Sequence, residues 1–304
     1  MLRRCNLVDG KLAEAEDGNV WIFAGPDEAE RKLMVEGFKI DEHTLNSALD
    51  PDELSRVEQE PEHLAVILKR PKSYSKEDDF LFKVLSNGLF LFKDKLIIVM
   101  AEEGPVLEAT RMPYRGSGGP VDVFLKVLYR TIFHFLEHLR VISMMSDSLE
   151  QRINLSFDNR HLLNLFKLEK SLVYYVSGIS SNTVAIDKLR NASARLGLGA
   201  EQLEFLEDIA IENQQCFRQA EISANILAGL MDARVSIVSN NLNLTMKTLT
   251  LITVAIMVPT FVVSAFSMNV PIPYSEHGVS FYVVLALAAV SSAAFVAWGR
   301  LKRW

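Results

Sequence analysis

Ten residues in the last third of the chain are spaced so that a single helix would line them up. They are Asp232, Ser236, Ser239, Asn243, Met246, Thr250, Thr253, Met257, Thr260 and Ser264, at steps of 4, 3, 4, 3, 4, 3, 4, 3 and 4. That heptad-type repeat places all ten on one seam of a helix in a slightly left-handed bundle. The flanking faces carry Leu244, Leu249, Leu251, Ile252, Val254, Ile256, Val258, Val262 and Val263. Oxygen-bearing side chains in an apolar span face protein or water rather than lipid. Serine and threonine can serve there as interhelical hydrogen-bonding groups. The length of the seam and its ends favour an ion path: an acid at 232, an amide at 243, and Asn269 just beyond the span. One seam cannot enclose a pore, and the second apolar segment offers only Ser291 and Ser292 in return. Several copies of the first helix are therefore expected around a channel.

A second pattern competes with it. His134-Phe-Leu-Glu137-His138 matches H-x-x-E-H, in which two histidines at i and i+4 hold zinc and the glutamate acts as base. A downstream carboxylate such as Glu204 would have to supply a third ligand. Three fixed positions in five arise easily by chance on a charged helix, so no enzyme is expected. Gly197-Leu-Gly199 is too short for a phosphate loop, and neither a nucleotide site nor an energy-coupling device is read from it.

The elements that would position the seam follow from hydropathy. Leu244–Phe266 carries one charge, Lys247, and Val279–Trp298 carries none. Each is about the 20 residues needed to cross roughly 30 Å of hydrocarbon. The short segment between them makes a two-span hairpin; the alternative is a buried helical hairpin of a soluble protein. The first residues lack the apolar core of a signal peptide. Lys247 and the Arg-Leu-Lys-Arg-Trp ending put both termini on the cytoplasmic side and the loop Asn269–Gly278, with Glu276 and His277, outside. Upstream, helices are expected at about Val121–Asn154 and Asp158–Leu196. A third, from Ala200 to Phe266, would be roughly 100 Å long at 1.5 Å per residue. About 70 Å of it would stand clear of the membrane, which calls for partners along its length.

Residues 1–118 read as a mixed α/β unit. Strand-like runs VWIFA, HLAVILK, FLFKVL, GLFLF and LIIVMA are separated by Gly, Asn and Lys-Asp turns, with helical patches at Pro26–Gly37 and Asp41–Leu49. Domains are expected at 1–118 (cytoplasmic α/β), 119–243 (helical stalk) and 244–304 (transmembrane hairpin and basic tail).

Of 304 residues, 49% are hydrophobic and 23% charged, which excludes a disordered or collagen-like chain. Two cysteines, Cys5 and Cys216, are too few for a disulfide scaffold or a structural zinc site. Residues 1–232 carry a net charge of −10 and the remainder +4, giving −6 overall. A body that acidic argues against nucleic acid and in favour of cations as partners.

The segment SNNLNLTMKTLTLITVAIMVPTFVVSAFSMN resembles the first transmembrane segment of the CorA magnesium transporters. It shares an Asn-containing lead-in, an MK-x-LT start, an M-x-x-T-F middle and a closing Met-Asn. FKIDEHTLNSALDPDELSRVEQEPEHLAVIL resembles the family's N-terminal domain, and the likeness covers essentially the whole chain. Three features depart from the pattern. Ser267-Met268-Asn269 stands where the family has Gly-Met-Asn, Phe266 stands for a usual tyrosine, and Pro259 is shifted by one place.

The resemblance implies an α+β cytoplasmic domain, long stalk helices and a transmembrane hairpin, assembled as a homopentameric funnel in the cytoplasmic membrane. Asn269, with Ser267 and Met268, would form a selectivity filter holding a hydrated cation at the outer mouth. Asn243 would make a second polar ring, Met246, Leu249 and Met257 apolar constrictions, and Asp232 an acidic ring at the cytoplasmic end. Glu276 in the outer loop would attract cations. Asp79 and Asp208 would bind regulatory Mg²⁺ between protomers, closing five mutually repelling bodies of about −50 in sum. Mg²⁺, or Co²⁺, Ni²⁺ or Zn²⁺, would be substrate and regulatory ligand, with no tightly bound cofactor. Two other readings carry weight: a zinc transporter of the same family, and a membrane-anchored scaffold that has lost transport.

Overall fold

A computed structural model describes residues 2–8, 11–104, 106, 107, 114, 116, 118–155, 159–268 and 280–301. The chain divides into two units, Met1–Gly229 and Leu230–Trp304.

The first unit is built on a seven-stranded sheet of β1 (Leu2–Val8), β2 (Lys11–Glu14), β3 (Val20–Ala24), β4 (Arg56–Gln59), β5 (Leu64–Pro71), β6 (Val84–Leu91) and β7 (Leu96–Met100). Its order is β2-β1-β3-β7-β6-β5-β4. Every pairing is antiparallel except β3 with β7, which runs Val20 opposite Leu96 to Ala24 opposite Met100. β5 and β7 are buried along their whole length, so both faces of the sheet are covered.

One face is covered by two short helices. α1 (Glu28–Lys32) starts at a capping box, in which Asp27 accepts from the Glu30 amide and the Glu30 carboxylate accepts from the Asp27 amide. It runs on into a π turn at Leu33–Gly37. α2 (Glu42–Leu49) is capped by Asp41, whose carboxylate accepts from the Thr44 amide. Between these helices and the sheet lies a core of Phe23, Met34, Ile40, Leu45, Ala48, Ala65, Phe90, Ile97 and Val99. The alternate strand residues, Val66, Leu68, Leu89 and Ile98, are equally buried on the other face, where α3 (Pro120–Leu155) and α4 (Asn159–Ala192) pack.

α5 (Ala200–Phe266) is one uninterrupted helix, and α6 (Ser280–Leu301) follows it. Within the first unit, the start of α5 is tied to the other helices by polar contacts. Gln202 donates to Asp122 of α3 at 2.7 Å, Arg190 of α4 pairs with Glu207 at 2.7 Å, and Asn213 donates to Thr183 at 2.8 Å. Asp122, placed by its sequence for the positive end of a helix, also accepts from the Tyr114 hydroxyl at 2.6 Å and the Gly118 amide at 3.0 Å.

The structure corrects the reading of the strands. FLFKVL and GLFLF are not two strands: Val84–Leu91 is one, and Asn87-Gly88 lies inside it. A Cβ at Gly88 would sit 2.6 Å from the Cβ of Ala48, so the glycine admits α2 onto the sheet instead of making a turn. β1, β2 and β4 carry too few buried residues to show alternation in the sequence. α4 ends at Ala192 rather than Leu196; residues 193–197 form turns that close on Gly197 at φ +64°.

Candidate functional site

Because α5 is continuous, all ten seam residues from Asp232 to Ser264 belong to one helix, and every one of them is exposed. α6 lies elsewhere on α5. Leu251, Val254, Ala255, Val258 and Val262 are partly covered, and the Cδ1 of Leu251 lies 3.4 Å from where a Cβ on Gly299 would be. On α6 the less exposed positions are Val284, Ala288, Ser291, Ser292, Phe295 and Gly299, a stripe at helical spacing that includes several small residues.

Three hydroxyls of the seam bond back to their own helix, as do Thr245 and Thr248 beside it. Ser236 donates to the Asp232 carbonyl at 3.1 Å, Thr253 to Leu249 at 2.8 Å and Thr260 to Ile256 at 2.7 Å. Each of these hydroxyls has given its proton to its own helix, so what remains to offer outward is oxygen lone pairs. A row of acceptors suits a cation or the water around one. Met246, Leu249 and Met257 are each more than 60% exposed. None of the residues in the most apolar stretch of α5 is buried, and almost none in α6. A buried hairpin of a soluble protein is thereby excluded, since bare apolar surface on this scale needs lipid or partner helices.

Ser267 closes α5. Its amide and its hydroxyl both donate to the Ser264 carbonyl, at 3.2 and 3.0 Å. It is not among the described residues with positive φ, so its backbone adopts a conformation open to any side chain. Met268 is 62% exposed. Asn269 and Glu276 lie outside the described residues.

The two acids read as a regulatory pair sit on separate elements. Asp79 (φ +44°) and Phe80 (φ +67°) follow the 3₁₀ turn Lys76–Asp78 in successive left-handed conformations. The loop is held by Ser171 of α4, whose hydroxyl accepts from the Phe82 amide at 2.9 Å. Asp78 is engaged by the Ser75 amide and hydroxyl, which hold its carboxyl below the usual range. Asp79 is the exposed carboxylate of the pair, and it is ion-paired to Lys167 of α4. Asp208 is exposed on α5, close enough to Tyr129 to help raise that phenol's pKa behind the larger effect of burial. Among the described residues no three His, Cys, Asp or Glu side chains converge as a metal site.

That applies to the H-x-x-E-H histidines as well. Glu137 is paired with Arg130 at 2.9 Å, and His138 Nδ1 lies 2.6 Å from the Tyr175 hydroxyl. Burial, reinforced by Arg130 and Arg70, pushes His134 down to about 4; burial and His134 push His138 down to about 4. These are neutral core histidines packed among Phe82, Phe135 and Tyr175. Lys167, in contrast, carries no local signal in the sequence, because its partner lies 88 residues away.

A model of the CorA-like Mg²⁺ transporter proteins matches residues 16–303. The chain belongs to that CorA-like family. The cobalt/magnesium transport protein CorA of Methanocaldococcus jannaschii is 23% identical over 314 residues, covering 98% of this chain and 96% of that protein. The complete structure of the CorA magnesium transporter from the same organism superposes with a TM-score of 0.81 at 22% identity, over 98% of this chain and 96% of that one. The full-length CmaX protein gives 0.68 at 15% identity, over 94% and 88%. This CorA-like chain has the fold of those structures: an α/β N-terminal domain, a long helix and a C-terminal helix. It is a membrane transporter of divalent cations with two apolar spans.

Proposed function

We propose that this chain forms a homopentameric channel for Mg²⁺ in a cytoplasmic membrane, both termini inside, with five α5 seams lining the pore. The observation that carries the reading is the unburied row of acceptor oxygens on α5, on a side of the helix that α6 leaves open. Asn269 closes the row at the outer mouth and holds the ion through its water shell, as suits a cation that dehydrates reluctantly. Asn243 forms a second polar ring, and Met246, Leu249 and Met257 keep the closed pore dry. Asp232 concentrates cations at the inner end, and Glu276 does so outside. Influx is driven by the membrane potential, which gives a divalent ion about 4.6 kcal/mol per 100 mV.

Gating follows from charge. Each body carries −10, so neighbouring bodies repel; intracellular Mg²⁺ at Asp79 and Asp208 relieves that repulsion and favours the closed state. Ser267 keeps the turn after α5 by bonding back to Ser264 and leaves the filter working.

Dye-loaded proteoliposomes test this, with Mg²⁺ and Zn²⁺ flux compared in the unmodified protein, Asn269→Ala and Ser267→Gly. The expected result is Mg²⁺ flux that collapses in Asn269→Ala and persists in Ser267→Gly. Zinc flux without magnesium flux would reassign the substrate. Flux appearing only in Ser267→Gly would mark a closed filter, and none in any variant a scaffold.

A further inference from the structure

A cleft of about 580 Å³ opens in the first unit between α4 and the β5–β6 end of the sheet. That is within the usual range for small-molecule sites. No glycine-rich motif marks it in the sequence, and nothing in cation transport calls for it.

Its charge is unusual for so acidic a body. Lys69, Lys72 and Lys83 all line it, against Asp52 and Glu102. Lys69 is only 6% exposed; its ammonium donates to the Pro51 carbonyl at 2.5 Å and Ser86 Oγ at 3.2 Å. That leaves one of three donors to spare. No carboxylate of the described residues lies within 4 Å of it. Burial lowers its pKa, and Asp52, Asp50 and Glu53 offset this only from a distance. A buried ammonium without a close counter-ion is unfavourable unless an anion arrives. Lys72 and Lys83 sit directly across from each other, the Lys72 amide donating to the Lys83 carbonyl at 2.9 Å. Like charges so placed repel across a strand pair. Lys72 has only a long contact to Glu102, at 3.5 Å, and Lys83 has no ion pair among the described residues.

The opposite wall complements the lysines. Gly178 lets α4 come close: a Cβ there would meet Val84 at 3.2 Å and Lys69 at 3.4 Å. Ser181 Oγ accepts from the Ser55 amide at 2.7 Å and keeps its own proton to give. Ser177 adds a second hydroxyl, and the half-exposed ring of Tyr174 borders the cleft as a flat apolar face. Converging ammonium and hydroxyl donors fit phosphate oxygens, and the ring fits a planar group.

We infer that this cleft binds a phosphorylated small molecule bearing a flat ring, of the nucleotide class, with Lys69, Lys72 and Lys83 on the phosphates and Tyr174 against the ring.

The test is calorimetric titration of the detergent-solubilised full chain, free of divalent cations, with ADP, pyrophosphate and adenosine as probes. ADP is expected to bind more tightly than pyrophosphate, and adenosine not at all. Lys72→Ala/Lys83→Ala changes only side chains at the rim, so folding is not at stake, and should weaken ADP by roughly tenfold or more. Tyr174→Ala should weaken ADP severalfold while leaving pyrophosphate unchanged. Absence of ADP binding at millimolar concentration overturns the inference. So does ADP binding that the double lysine variant leaves untouched, or adenosine binding as well as ADP.

Discussion

α5 is one helix under two sets of rules. Over its first eight turns, Phe205, Leu206, Ile209, Cys216, Ala220 and Leu227 are buried and the charged residues between them face outward. From Leu244 to Ser264 nothing is buried, most of the large apolar side chains are exposed, and from Thr250 onward the hydroxyls gather on one line. The first stretch answers water, where apolar groups hide and polar groups are free to scatter. The second answers lipid, where apolar groups have nothing to escape and every polar group must find company. Polarity thus reports the surface of the body, and in the span, on the function proposed above, it marks the inside of an assembly.

The sharpest way to break that contrast compares two adjacent positions at one depth. Thr253 is on the seam, its hydroxyl bonded back to Leu249; Ile252 is beside it, half exposed on the apolar face. Thr253→Phe should lower ion flux by about a hundredfold or more, because five rings would dewet the path. Ile252→Phe should stay within about twofold, because lipid accepts either side chain. Equal losses in both variants would mean that the seam is packing and not a pathway.

The body is held differently, and one of its anchors is a buried side-chain amide bonded at both its oxygen and its nitrogen. Asn182 of α4 accepts from the Lys69 amide and donates to the Lys69 carbonyl, both at 2.8 Å, and accepts from the Ser55 hydroxyl at 2.7 Å. β4 pairs with β5 only from Leu64 to Ile67, so this amide takes the place of a strand beyond that point. Asn182→Ala should destabilise the body by about 2 kcal/mol, the consequence of orphaning buried backbone groups. Hydrogen exchange should quicken in β5 and α4 and stay unchanged in residues 244–266. Faster exchange in both places would show the two regions to be one cooperative unit.

How much of this the sequence discloses depends on the range of the interaction. The seam, the spans and the helix from Ala200 to Phe266 are legible because they rest on spacing within one element. β6 does not read as one strand because the reason for Gly88 lies on another element, at Ala48. Asn182 and Lys167 carry no local signal, since their partners are 113 and 88 residues away. The H-x-x-E-H pattern misleads in the opposite sense, its spacing being right and its surroundings a core.

Those surroundings give a pH dependence confined to the body. With His134 and His138 both pushed down to about 4, the unfolded chain binds protons that the folded chain refuses. Stability is complete above about pH 6.5 and falls as pH drops towards 4, by up to about 1.4 kcal/mol per histidine per pH unit. The groups around them, Arg130, Arg70, Glu137 and Tyr175, add no carboxylate free to stabilise the imidazolium, because Glu137 is held by Arg130. Thermal melts between pH 7.5 and 5 should show the loss, and His134→Phe should make it shallower. A melting temperature flat across that range would contradict the burial of both rings.

The smallest effect sits at Asp79, one of the two carboxylates proposed above to sense the ion. Asp79 is already occupied by the Lys167 ammonium, so a metal ion arriving there must displace a charge that the chain itself supplies. The pair is solvent-exposed, at 38% for Lys167 and 66% for Asp79, which limits its worth to about 1 kcal/mol or less. Lys167→Ala should therefore lower the intracellular Mg²⁺ concentration that halves flux, by a factor of about 2 to 5. Asp79→Asn should raise that concentration, and the double variant should behave like Asp79→Asn alone, because the lysine acts only through the carboxylate. If Lys167→Ala shifts the midpoint just as far in the Asp79→Asn background, the lysine works through general charge on the body. Asp79 then has no special claim to be a sensor.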